Sequence, residues 1–182
     1  MPRFKSTLGV AISLVTLVLA MGGCGGPSAA ETHAAALKKE KASAAAAAKK
    51  LRADQQAAHD QCVAQLQPFI DALNQVNSRL EVGLNYSDYG DRLGDAQVAY
   101  DKIQVDGLAD ISPKCLDAAA KLEHSYNEFL KVKNVWSACI DDYACDFSKG
   151  TANDQAQQGW QKAGQALKNG TSEVEGLAPA VE

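Results

Sequence analysis

The chain has 182 residues, 22 acidic against 18 basic, for a net charge of −4. That balance, with no basic aromatic patch, argues against nucleic acid as a partner and against electrostatic docking on anionic lipid. The apolar fraction of 46% is swollen by alanine, so the core is smaller than the figure suggests, and the length suits one modest domain with a tether.

Arg3 and Lys5 precede an uninterrupted apolar run, Leu8 to Ala20. A basic start followed by a short apolar run is the pattern of an export signal, and the run is too short to span a bilayer comfortably. Met21-Gly22-Gly23-Cys24-Gly25-Gly26 follows, small residues around a single cysteine. This stretch resembles the lipobox of bacterial lipoproteins, with Met21 where leucine is usual. The resemblance implies cleavage before Cys24, a diacylglyceryl group on its thiol, and attachment to the outer face of the cytoplasmic membrane in a one-membrane cell. Two or more acyl chains hold a protein stably where one does not. The alternative is an ordinary secretory signal cut nearby, with Cys24 incidental. Through its Cys24-Gly25-Gly26 start and its composition the chain resembles the alanine-rich lipoproteins of high-GC Gram-positive, actinobacterial-type cells, and no activity comes with that resemblance.

Without Arg3 and Lys5, 16 basic residues face 22 acidic ones, a net of −6. The partners expected are therefore the membrane, through the lipid alone, and an unidentified protein. Residues 24–58 are expected to form a stalk. From Ala34 to Ala58 the chain is mostly Ala with Lys, Glu, Arg and Gln, and only Leu37 and Leu51 offer apolar bulk. Such a segment has high helix propensity and little to bury, so it is either a helical spacer or a disordered tail.

Residues 59–169 carry a repeated helical pattern. Cys62, Leu66, Phe69, Leu73, Val76 and Leu80 follow steps of four and three, the seam of an amphipathic helix, with Pro68 expected to kink it. After a turn at Asn85-Tyr86-Ser87, with Ser87 as cap, Tyr89, Leu93, Ala96, Tyr100 and Ile103 repeat the spacing. Ser112-Pro113 opens a third helix with the seam Cys115, Ala119, Leu122, Tyr126, Phe129, Trp136 and Ile140. Thr151 and Asp154 suggest a capping box for a fourth helix with a thin apolar face, Ala156, Trp160, Ala163 and Leu167. Residues 170–182 read as a flexible tail. The expectation is an all-α, up-down-up-down bundle of about four helices, since short connections imply antiparallel neighbours.

Setting Cys24 aside leaves Cys62, Cys115, Cys139 and Cys145. An even remainder in an exported chain reads as two disulfides, and no CxxC pair supports zinc. Cys115 and Cys139 lie near opposite ends of one helix, over 30 Å apart at about 1.5 Å per residue, whereas a disulfide spans roughly 6 Å. Pairing Cys62 with Cys139 would join opposite ends of the bundle. Cys62–Cys115 with Cys139–Cys145 remains.

Catalytic signatures are lacking. His33, His59 and His124 have unrelated spacings, and there is no HExxH, GxSxG, P-loop or haem-attachment motif. No enzyme activity and no cofactor are expected. The one concentration of chemistry is a tip: the turn with Asp88, Tyr89 and Asp91, and the connection with Asp141, Asp142 and Tyr143, should meet at one end of the bundle. Tyr86 and Asp146 belong to the same group. An acidic, tyrosine-lined surface would suit a cationic partner or a hard cation. The alternative is solvated turns in which aspartates cap helices. The principal reading is a non-enzymatic interaction protein of the cell envelope, and the second is a module binding a small molecule or ion.

Overall fold

The structure, a computed structural model, describes residues 29–179, so the segment expected to be an export signal and the expected lipidation site Cys24 lie outside the described residues. The described residues fall into two units, divided between Ser43 and Ala44. Helix α1 is Ala29–Val82. In the first unit its side chains from Thr32 to Ser43 are exposed, and Leu37 is 45% exposed. The alanine-rich stretch is thus helical but buries nothing there, as its lack of apolar bulk requires.

The second unit contains the rest of α1 together with α2 (Tyr86–Tyr100), α3 (Val105–Ile111), α4 (Pro113–Asp141) and α5 (Thr151–Glu175). No strand occurs among the described residues. Four long helices carry the bundle, and α3 is a fifth, short one beyond the four expected. Its seven residues are too few to display a helical period, and only Leu108 is buried.

Contacts between helices give the directions. Phe69 meets Tyr100 at 5.3 Å between ring centroids, and Gln75 accepts from Arg92, so α1 and α2 are antiparallel. Tyr89 and Tyr126 bond across α2 and α4 to Phe129 and Leu93 in the same reversed order. Ser125 donates to the carbonyl of Ala163 at 2.8 Å and Lys121 pairs with Glu173, which makes α4 and α5 antiparallel. The long helices therefore run up, down, up, down.

The core is the expected seam: Leu66, Phe69, Leu73, Val76, Tyr89, Leu93, Leu122 and Phe129 are all at most 1% exposed. Each such aliphatic or phenyl side chain contributes about 1.5–3 kcal/mol by leaving water. Pro68 lies inside α1 on its exposed side and the helix continues through it. Ile140 departs from the expected seam. It is 56% exposed, while Val132 and Cys139 take the buried positions on α4.

Cys62 bridges Cys115 and Cys139 bridges Cys145, with Cα separations of 5.8 and 5.2 Å. Three further expectations are corrected. The cap of α2 is Asn85 and not Ser87, because the Asn85 side-chain oxygen Oδ1 accepts from the Asp88 amide. Helix α5 is capped by Gly150, at φ 79°, so Thr151 and Asp154 form no capping box. The tail expected from residue 170 is helical to Glu175, since Gly170 and Val174 are buried and keep α5 packed.

Small residues let α5 approach α4 closely. A β-carbon on Gly170 would stand 2.8 Å from Leu122 and 3.3 Å from the carbonyl of Ala118. Buried Ala156, Ala163 and Ala166 extend the same face.

Candidate functional site

The two Asp-Tyr turns meet at one end of the second unit. Tyr86, at the start of α2, packs edge-on against Trp136 of α4 at 5.7 Å, and Phe147 of the α4–α5 loop stacks on Trp136 at 4.5 Å. The side chains expected to form a recognition surface are nonetheless put to different uses.

Tyr89 is fully buried. It occupies the same helix face as Leu93 and Ala96, and its hydroxyl donates to the Phe129 carbonyl at 2.9 Å and accepts from Trp160 Nε1 at 3.2 Å. Tyr89 is therefore a core residue and not part of a surface tip. Burial pushes its phenol well above the ordinary tyrosine range, and the bond from Trp160 opposes this only in part.

Asp88 is engaged in capping. Asn85 Nδ2 donates to its carboxylate at 2.7 Å while the Asp88 amide donates back at 2.9 Å. Asp142 accepts from the Ala144 amide at 3.0 Å, and Asp146 from the amide and hydroxyl of Ser148. The Ser148 hydroxyl, its amide and Lys149 hold the Asp146 carboxyl below the usual range. Asp91 lines an open hollow of about 350 Å³ in which Asp88 and Asp95 are accompanied by Arg79 and Arg92. Asp141 and Tyr143 are exposed, and Tyr143 stands wholly in solvent. Among the described residues no three His, Cys, Asp or Glu side chains converge to hold a metal.

Trp136 and Trp160 are both half-buried and share one aromatic cluster with Tyr86, Tyr89 and Phe147. The cluster closes the upper end of the core, so the tryptophans act mainly in packing. Comparison of the chain with protein-family models, with curated proteins and with solved structures finds no match.

Two surface features remain. A shallow apolar hollow of about 540 Å³ lies beside the Cys139–Cys145 bridge, with Val135, Ala138 and Ala152 among its walls. The other is a groove between α1 and α5, made of adjoining hollows of about 370 and 310 Å³ that share Asn77 and Gly164. Asn74 belongs to the first hollow, and Gln157, Trp160, Gln161 and Gln165 to the second. Sequence reading missed this groove, because its residues come from segments far apart in the chain. The available signal was Gly164, a glycine inside a helix, which costs about 1 kcal/mol against alanine and so points to a local reason. A β-carbon there would stand 3.2 Å from Asn77 Oδ1, so glycine keeps the floor of the groove open.

Proposed function

We propose that the chain is an exported protein held on the outer face of a membrane by lipid on Cys24, and that its helical domain works by binding and not by catalysis. One observation carries the reading. Cys62, Cys115, Cys139 and Cys145 pair with one another, so of five cysteines Cys24 alone is not needed for a bridge. Two disulfides fit a chain that matures in an oxidising compartment, and the basic and apolar residues before Cys24 fit export. No helix among the described residues is long and apolar enough to cross a membrane. The disposition of the turn aspartates in caps and Asx turns, with Tyr89 in the core, supports a rigid scaffold in place of a reactive centre.

The test is the intact mass of the mature protein taken from native membranes, before and after reduction. The expected species begins at Cys24, carries acyl chains, and is lighter before reduction by the hydrogens of two disulfides. The mass of an unacylated chain would overturn the anchor, and free thiols at the four other cysteines would overturn the compartment.

A further inference from the structure

We infer that the groove between α1 and α5 binds an extended, uncharged oligosaccharide. This deepens the reading of the domain as a binding module and does not depend on the anchor at Cys24.

The chemistry of the lining selects the ligand. Five primary amides, Asn74, Asn77, Gln157, Gln161 and Gln165, face the two hollows. Of these five, only Gln165 spends its amide on a partner among the described residues, donating to Asn169 at 2.8 Å. An unpaired amide offers a donor and an acceptor together, which matches a sugar hydroxyl, itself both donor and acceptor. The charged groups that border the groove, Glu81, Lys168 and Glu175, are of mixed sign, so no field of one sign runs along it to select an ion.

Trp160 supplies the complementary part. Its indole N–H points inward to the Tyr89 hydroxyl, so the portion of the ring that borders the groove is hydrocarbon. A sugar ring presents C–H groups on one face and hydroxyls at its rim. A fixed aromatic edge beside a row of amides meets both at little cost in side-chain entropy. Each hollow lies at the lower end of the size range of ligand sites. Two in line, joined over Gly164, suit several sugar units in a row better than one compact molecule.

The test uses the mature chain, residues 24–182, exported with Cys24→Ser so that it is soluble, and with Trp136→Phe so that Trp160 is the sole tryptophan. Tryptophan emission and heat are recorded during titration with neutral hexamers of glucose in β-1,4 and α-1,4 linkage, of mannose, and of N-acetylglucosamine, with a uronic-acid hexamer beside them. A saturable shift with at least one neutral hexamer is expected. Gln161→Ala with Asn77→Ala should weaken it about tenfold or more, since each net hydrogen bond is worth about a factor of five. Gly164→Leu, which fills the floor, should abolish the shift while the unfolding midpoint is retained. No response to any neutral hexamer, a response to the uronic-acid hexamer alone, or binding indifferent to Gly164→Leu would each overturn the proposal. The mass measurement on the native protein decides the anchor separately.

Discussion

Gly159 of α5 lies so close to Val132 of α4 that a β-carbon at 159 would stand 2.3 Å from Val132 Cγ2. The atom in the way is a methyl on a stiff, fully buried side chain, which cannot swing aside. Gly159→Ala should therefore destabilise the domain by about 1–3 kcal/mol, the usual cost of overpacking, despite alanine's better helix propensity. Combining it with Val132→Ala should cost less than the sum of the two single changes, because the new methyl enters the space vacated. Urea unfolding of the four proteins in this cycle measures the coupling.

Tyr89 sets an alkaline limit on stability. A phenol whose pKa is higher in the folded than in the unfolded chain holds its proton more tightly in the native state. Its contribution is intact below the unfolded value of 10.0 and is lost as pH rises from there toward the native value. Tyr100 and Tyr126 are shifted upward as well, chiefly by burial, and add to the same trend. The unfolding midpoint should fall steadily above about pH 10 and less steeply in Tyr89→Phe. At neutral pH that variant should lose about 1–3 kcal/mol, because Trp160 Nε1 is left without its partner. Thermal melts between pH 7 and 11 test both statements.

The two disulfides should differ in weight. Cys62–Cys115 closes a separation of 53 residues and Cys139–Cys145 one of 6. Chain entropy gives about 4 kcal/mol for the first and about 2 for the second. Replacing Cys62 and Cys115 by alanine should lower the urea midpoint strongly. Replacing Cys139 and Cys145 by serine should leave far-ultraviolet circular dichroism nearly unchanged. It should also shift tryptophan emission to the red, as Phe147 loses its stack on Trp136.

Asn85 caps α2 through its side chain, and Asp88 reciprocates. Asn85→Ala should cost about 1 kcal/mol, and Ser87→Ala almost nothing. A comparable loss in both variants would contradict the cap assignment.

The four long helices and both cysteine pairings were legible because each rests on a period or a reach that one segment displays. The seam through Leu66, Phe69 and Leu73 needs only the 3.6-residue turn, and the pairings need only helix length. Features that depend on a second segment were not legible. Tyr89 fitted both a seam and a turn surface, and the partners that settle its place lie 40 and 71 residues away. The continuation of α5 past Gly170 depends on Leu122 and Ala118, so a glycine that reads as a helix stop becomes a point of contact. The groove amides were likewise unremarkable singly, since a glutamine on a helix surface carries no signal until its neighbours across the groove are known.

The two bridges also determine where a mechanical load would travel. Tension entering at Cys62 passes through sulfur to Cys115, along α4 to Cys139, and again through sulfur to Cys145 before it reaches α5. The backbone of α2 and α3 lies off that path and carries none of the force. A pull across the domain would thus lengthen it only through α5 and the part of α4 between Cys115 and Cys139, which no bridge spans, and would leave the segment between Cys62 and Cys115 as a closed ring that stretching cannot open.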